Sequence, residues 1–231
     1  MKLLACETSS DRCSVALWAD GACLSRAAPQ PRDHSEIILP FVGELLAEAG
    51  LRLRQLDAIA FGAGPGGFTG LRLGCSVAQG LALAAGLPVI PVDSLAALAL
   101  AAGDGPVYAC VDARMNEVYC AAYRVADGEA QRLLGPVTVA PALAPLPPAG
   151  HAWHGAGSGF GVWGGVLRER LGGLLDTVSP DAVPDAVHVA RLAVRGHARG
   201  EARDPAAAAP AYVRDKVALT TAERLAAGAR A

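Results

Sequence analysis

The stretch best suited to chemistry is glycine-rich and spans residues 62–74, GAGPGGFTGLRLG. Such a turn ahead of a helix can cradle a phosphate, because backbone N–H groups approach an anion where no side chain intervenes. The stretch lacks the Gly-Lys-Ser/Thr ending of a P-loop, and no suitably placed acid follows it as in a dinucleotide-binding unit. The stretch could therefore still face a phosphate through its backbone N–H groups, but it has no lysine to reach that phosphate.

A second polar turn, ETSSDR at 7–12, separates two short apolar runs in a β-hairpin pattern. A third turn, DARMNE at 112–117, places Asp112, Arg114 and Glu117 between two apparent strands. A catalytic carboxylate pair is conceivable in the third turn, but an ion-paired turn is the favoured interpretation.

The histidines suggest neither a metal site nor an activated nucleophile. His151 and His154 are spaced HxxH without an evident third ligand, which favours a structural or solvated role. HExxH, HxxxH and GxSxG motifs are missing from the sequence. We therefore predict no catalytic residue and no metal site.

Composition favours a cytoplasmic protein. The net charge of −2, from 20 basic and 22 acidic residues, gives no basic excess for binding nucleic acid or membranes. The six cysteines form no CxxC pair and lie in apolar stretches, which indicates buried, reduced thiols. The N-terminal apolar run is too short for a signal peptide, and glycine, proline and aspartate interrupt the apolar stretch 80–102. We expect no membrane association.

The elements that must position these turns follow an α/β pattern. A three-stranded meander opens the chain, and apolar residues at helical spacing then predict a helix over 35–49. A buried strand precedes the glycine-rich turn, which leads into a helix ending near residue 85. Further strands and helices alternate to residue 102, and a run of turn-forming residues at 103–106 indicates a boundary.

Five ordered segments resemble one family, with a weaker sixth at PAYVRD, 210–215. They are LLACETSSDRCSVAL at 3–17, RDHSEIILP at 32–40, GAGPGGFTGLRLG at 62–74, PVDSLAALA at 91–99 and DARMNEVY at 112–119. The chain resembles the TsaB (YeaZ) family of bacterial tRNA threonylcarbamoyladenosine biosynthesis proteins.

The resemblance implies an actin-like, Hsp70-like and sugar-kinase-like (ASKHA) fold, with two lobes that each contain a mixed sheet flanked by helices. We place the first lobe at 1–104 and the second at 105–209, with the segment 210–231 returning to the first. In this fold the corresponding turn faces phosphates, so the turn at Thr8, Ser9 and Ser10 is a candidate nucleotide contact; an ordinary polar β-turn is the alternative. Candidate nucleotide-proximal residues are therefore Thr8, Ser9, Ser10, Gly64, Gly66, Gly67 and Thr69.

The resemblance also implies a function and partners. The chain would be a non-catalytic subunit for the N6-threonylcarbamoylation of adenosine 37 in tRNA, binding and activating a larger catalytic paralogue, TsaD. A small ATPase, TsaE, would be a further partner, and ATP or ADP would bind near the interface with the paralogue. Alternatives are a small ATP-dependent phosphotransferase of the same fold and, more weakly supported, a glycoprotease-like peptidase.

This chain departs from the family pattern at two positions. Glu7 stands where the family has aspartate, and Gly67 stands where the glycine loop has serine. Each change removes or moves a polar group that could face a phosphate or a hydrated metal, which weakens the case for independent nucleotide chemistry.

Two helices are candidates for an interface with TsaD or, in isolation, with a second copy. Gly70, Gly74, Ala78 and Ala82 share one helix face, which suits either another subunit or internal packing. The helix 35–49 is apolar over a wide surface, enough for two neighbours. The candidate interface residues are Ile37, Ile38, Phe41, Leu45, Gly70, Leu71, Gly74 and Ala78.

An arginine stripe forms the last candidate surface. Arg191, Arg195, Arg199 and Arg203 recur every four residues and could contact tRNA phosphates. A solvated helix face is the favoured alternative, so any role at tRNA is expected to be indirect.

Overall fold

The computed structural model describes residues 1–28 and 33–214 and contains two five-stranded sheets. In the first sheet the strand order is β3-β2-β1-β4-β5. The opening meander pairs antiparallel, and β4 and β5 continue the sheet in parallel from β1. Its strands are β1 (Lys2–Glu7), β2 (Cys13–Ala19), β3 (Ala22–Ala28), β4 (Ala58–Gly64) and β5 (Val89–Asp93).

Two long helices cover one face of this sheet, α1 (His34–Glu48) and α2 (Phe68–Ala85). The Asp33 side chain caps α1 by accepting from the Ser35 N–H at 3.1 Å. Gly86 ends α2 with φ 70°, a left-handed conformation that glycine adopts without a side-chain clash. Leu4, Phe61 and other apolar strand residues pack beneath these helices.

The second sheet has the order β10-β9-β6-β7-β8. The sequence predicts β6 and β7 but not the other three strands, since β8 is an edge strand of half-exposed residues and β9 and β10 are short. Its strands are β6 (Gly105–Asp112), β7 (Val118–Ala126), β8 (Glu129–Val139), β9 (Trp153–Ala156) and β10 (Leu175–Ser179). Two short helices lie on this sheet, α4 (Ser158–Val162) and α5 (Gly164–Leu171).

Helix α3 (Ser94–Ala102) lies between the two sheets and is buried on nearly all sides. Leu95 and Leu98 pack against the second sheet, whereas Ala97 packs against the first. Asp93 caps α3 by accepting from the Leu95 N–H at 2.9 Å, and the Tyr123 hydroxyl of the second sheet donates to the same carboxylate at 2.7 Å. The start of α3 therefore ties the two lobes together.

Helix α6 (Ala186–Ala198) corrects the predicted lobe boundary at residue 209. Val189 and Ala193 of this helix pack against the first sheet, on the face opposite α1 and α2. Beyond the helix, the Arg203 backbone forms a two-bond bridge with Val89 at the edge of that sheet. The chain therefore returns to the first lobe from residue 186, well before 210, because the apolar face of α6 is buried there. The remainder of the predicted return, 215–231, lies outside the described residues.

Two mixed sheets flanked by helices form the ASKHA-like α/β fold. Within the residues described, no helix combines the length and apolar character needed to cross a membrane.

Candidate functional site

A cavity of about 700 Å³ lies between the two lobes. We call the turn 8–10 with the glycine loop 65–71 the first wall, and the β6–β7 hairpin 112–117 with Ser158 the second wall. The cavity is lined by six of the seven predicted nucleotide-proximal residues: Thr8, Ser9, Ser10, Gly66, Gly67 and Thr69. The exception is Gly64, whose N–H donates to Ser94 Oγ at 3.2 Å.

Hydrogen bonds attach the 8–10 turn of the first wall to the glycine loop. Thr8 and Ser9 are buried, and Thr8 Oγ1 donates to the Gly70 carbonyl at 2.8 Å. The Gly67 N–H donates to the Ser9 carbonyl at 2.7 Å. The turn is thus fixed onto the start of α2.

The glycines of α2 make this close approach possible. A Cβ on Gly70 would lie 1.9 Å from the Thr8 carbonyl oxygen, and one on Gly74 would lie 2.5 Å from Thr8 Oγ1. Both distances are far inside van der Waals contact. Internal packing is therefore the role of this helix face.

The predicted interface residues need a corresponding correction. Ile38, Leu45, Leu71, Gly74 and Ala78 are buried inside the monomer, so they offer no surface to a partner. The remaining three, Ile37, Phe41 and Gly70, are half-buried. Apolar spacing correctly marks helix faces in contact, but it does not distinguish the protein's own sheet from another subunit.

Glu7 does not line the cavity but lies behind two residues that do, Ser9 and Ser94. Its Oε1 accepts from the Ser9 N–H at 2.6 Å, and its Oε2 accepts from Ser94 Oγ at 2.9 Å. Gly62 makes room for the carboxylate, since a Cβ there would lie 1.9 Å from Oε2. The side chain is fully buried, and this burial raises the pKa of its carboxyl group. The longer glutamate thus binds the protein interior instead of a metal or phosphate in the cavity.

The second wall is an ion-paired and strained hairpin. Asp112 Oδ1 accepts from Trp163 Nε1 at 3.2 Å, and Oδ2 pairs with Arg114 Nη1 at 3.3 Å. Arg114, Met115 and Asn116 are all left-handed, with φ between 54° and 59°. Residues with a Cβ disfavour this region, so the surrounding contacts must hold the hairpin tip. A salt-bridged turn, not a carboxylate pair, describes this site.

Sequence reasoning missed several side chains that line the cavity. Ser94 and Leu95 reach it from α3, and Tyr212 and Arg214 reach it from the end of the described chain. Their only signal lies in the family segments PVDSLAALA and PAYVRD, which predict a helix and a return to the first lobe but do not place these side chains at the cavity.

Two arginines of the stripe and two of the histidines pair locally. Arg195 and Arg199 both form ion pairs with Glu129, at 3.1 and 3.3 Å, which leaves Arg191 as an exposed member of the stripe. His154 Nδ1 lies 2.6 Å from Thr177 Oγ1, and His151 contacts Arg124. Across residues 1–28 and 33–214, no group of three or more metal-ligating side chains could hold an ion.

Comparison with known proteins places this architecture in a family. The family model described as TsaD, tRNA N6-adenosine threonylcarbamoyltransferase, matches residues 28–151, more than half of the chain. The tRNA threonylcarbamoyladenosine biosynthesis protein TsaB of Escherichia coli (strain K12) is 37% identical over 201 residues, covering 80% of this chain and 86% of that protein. The TsaB protein of Haemophilus influenzae is 50% identical over 123 residues, about half of each chain.

A solved structure has the same fold over nearly the whole length of this chain. The structure of YeaZ from Pseudomonas aeruginosa superposes with a TM-score of 0.85 at 40% identity, covering 91% of this chain and 99% of that one. Sequence and fold therefore agree that this chain belongs to the TsaB (YeaZ) family.

Proposed function

We propose that this chain is a non-catalytic subunit for the N6-threonylcarbamoylation of adenosine 37 in tRNA, and that it binds and activates a TsaD-type paralogue. The observation that carries the proposal is the 37% identity, over 80% of the chain, to a protein named for tRNA threonylcarbamoyladenosine biosynthesis. The same proposal includes a TsaE-type ATPase as a further partner. It also includes ATP or ADP bound near the interface with TsaD.

The outer surface of α1 and α2 is the proposed docking site. We define the helix-pair face as Leu39 and Gly43 of α1 with Ser76, Gly80 and Leu83 of α2, all exposed. A Cβ on Gly43 or Gly80 would meet nothing within 4 Å, so no internal packing requires these glycines. Small residues beside two exposed leucines suit the close approach of another helix.

The matched family model supports a TsaD-type occupant. Its match to residues 28–151 includes both α1 and α2, so a TsaD-type protein carries counterparts of the two helices. Pairing of like helices would form a bundle between the subunits. In isolation the same face would pair with a second copy, giving a homodimer.

The cavity supports an accessory role more than an enzymatic one. The Glu7 carboxylate and the Thr8 hydroxyl are both bonded within the protein, so neither is available for phosphate or metal chemistry in the cavity. A peptidase would need a nucleophile with a base beside the substrate. Thr177 and His154 pair between β9 and β10 and do not line the cavity.

Co-purification tests the docking proposal. We expect Leu39→Glu and Gly80→Arg to abolish capture of the TsaD-type paralogue, because each places a charged or bulky group on the helix-pair face. Leu143→Glu is the matched control, since Leu143 is 69% exposed on the second lobe. Wild-type capture by both face variants would contradict the docking site.

Nucleoside analysis of tRNA tests the function itself. Depletion of the protein should remove threonylcarbamoyladenosine from tRNA, and Leu143→Glu but not Leu39→Glu should restore it. Normal levels after depletion would overturn the proposal. Steady ATP turnover by the isolated chain would instead favour the phosphotransferase.

A further inference from the structure

The described chain ends in a segment that contacts both lobes, Ala211–Arg214, which we call the strap. At its first-lobe end the Ala211 N–H donates to the Ala63 carbonyl at 2.8 Å. The Tyr212 ring centroid lies 5.9 Å from that of Phe68, and Arg72 Nε donates to the Tyr212 hydroxyl at 3.1 Å. One backbone bond and one aromatic cluster thus attach the strap to the first lobe.

Arg214 attaches the other end to the second lobe. Its Nη2 donates to the Ala113 carbonyl at 2.8 Å and to Glu117 Oε2 at 2.7 Å. The guanidinium also lies over the Tyr119 ring, 5.7 Å from its centroid. Only 15% of the Arg214 side chain is exposed, so solvent screens this ion pair less than a surface pair.

The strap lies on the solvent side of the cavity. Ala211 and Tyr212 are exposed, whereas Ser94 and Leu95, which line the same cavity from α3, are fully buried. Elsewhere the chain crosses between the lobes twice, after α3 and between β10 and α6. The strap is a third crossing in the described chain, and it reaches the second lobe through the bonds of the Arg214 side chain.

Arg214 binds the hairpin at its tip, where three residues adopt the unfavourable left-handed backbone conformation. Its two shortest bonds go to Ala113 and Glu117, which flank the three left-handed residues 114–116. Arg214 also donates to two of those three residues, to the Arg114 carbonyl at 3.5 Å and to Met115 Sδ at 3.6 Å. Without Arg214 the Ala113 carbonyl and the Glu117 carboxylate lose a charged donor, and the hairpin tip loses a contact that opposes its relaxation.

We propose that the strap is an intramolecular latch: Arg214, bonded to Ala113 and Glu117, holds the two lobes together on the solvent side of the cavity, and its release lets them move apart there while α3 keeps them joined. The latch is independent of the proposed function, because it rests on contacts within one chain. It predicts that access to the cavity depends on the side chain at residue 214.

Spin-label distance measurement on the full chain tests the latch. Labels at Arg54→Cys in the first lobe and Glu169→Cys in α5, in a Cys23→Ser background, report the separation of the lobes. The other five cysteines are buried, and burial raises the pKa of Cys6 to about 12 and of Cys13 to about 11, so they should resist labelling. Arg214→Ala should give a longer and broader distance distribution than wild type.

Hydrogen exchange supplies the second measurement. The Ala211 amide should exchange about tenfold to a hundredfold faster in Arg214→Ala, because hydrogen bonds to charged groups shift opening equilibria by that order. Arg114→Ala is the matched control, since Arg114 pairs with Asp112 of its own lobe and is 79% exposed. This variant should leave both measurements unchanged.

Distinct outcomes decide the proposal. If Arg214→Ala does not fold, Glu117→Gln weakens the same bond from the other side and should lengthen the distance in the same direction. An unchanged distance distribution in the folded variant overturns the latch, and so does faster exchange spread evenly over both lobes without a change in distance. The second pattern would assign Arg214 to general stability.

Discussion

The two walls of the cavity are held by opposite means. In the first wall, glycines bring backbone against backbone, with Gly70 and Gly74 of α2 packed onto Thr8. In the second wall, side chains hold a hairpin whose tip residues are left-handed. Trp163, Ser158 and Arg214 each bond to the backbone or a side chain of that hairpin. Substitutions that add side-chain atoms should therefore destabilise the first wall, and substitutions that remove a bonding side chain should destabilise the second.

Gly70→Ala should give the largest effect. Its Cβ would lie 1.9 Å from the Thr8 carbonyl oxygen, so the turn or the helix must shift, and the free energy of unfolding should fall by about 2–3 kcal/mol. Gly80→Ala is the matched control, because a Cβ there meets nothing within 4 Å. That variant should gain about 0.5–1 kcal/mol from better helix propensity. Urea unfolding of both variants measures the contrast, and equal values would contradict it.

Glu7→Gln tests the buried charge behind the first wall. Burial raises the carboxyl pKa above its ordinary value of 4.5, so the folded state binds the proton more tightly than the unfolded state. The wild-type free energy of unfolding should then fall as pH rises from 4.5 through the raised pKa. Glutamine keeps the shape without the charge, so the variant should lack this component of the pH dependence. Identical pH profiles would show that the carboxyl group is not perturbed.

Ser158→Ala should have a smaller effect, on the second wall. Ser158 Oγ accepts from the Asp112 N–H at 3.1 Å, and the loss of one neutral hydrogen bond should lower the free energy of unfolding by about 0.5–1.5 kcal/mol. Ser76→Ala on the exposed face of α2 is the control and should be neutral or slightly stabilising. Thermal unfolding of the pair distinguishes a bonded hydroxyl from a solvated one.

Met115→Gly should give the smallest change, with the opposite sign. Met115 is 64% exposed with φ 54°, so glycine loses little packing and relieves left-handed strain. The gain should be about 0.5 kcal/mol after the added flexibility of the unfolded chain is counted. Met115→Ala keeps the strain and should show no gain. A stabilised alanine variant would argue that the tip is unstrained.

Local patterns were enough to predict much of the first lobe. The meander, α1, α2 and the turn at Thr8–Ser10 each depend on residues close in sequence. The ASKHA-like fold was implied by the resemblance to the TsaB (YeaZ) family, since the local patterns alone indicate only an α/β sheet with helices packed on it. The second lobe was harder, since β8 is half-exposed and β9 is only four residues long.

Contacts between distant residues account for what sequence did not predict. The direction of the Glu7 carboxylate depends on Ser94, 87 residues away, and on the empty side-chain position at Gly62. The glycine face of α2 has the same spacing whether it meets Thr8 or another subunit. Likewise, the sequence does not indicate the sheet against which α6 packs.

Helix α3 makes the two lobes a single cooperative unit. Its leucines need the second sheet and Ala97 needs the first, so neither half can bury the helix alone. A fragment that ends at residue 104 would expose Leu95, Leu98 and Leu100 to water and should aggregate. Heat should accordingly melt both sheets in one calorimetric transition, although their strands are separate in sequence and in hydrogen bonding.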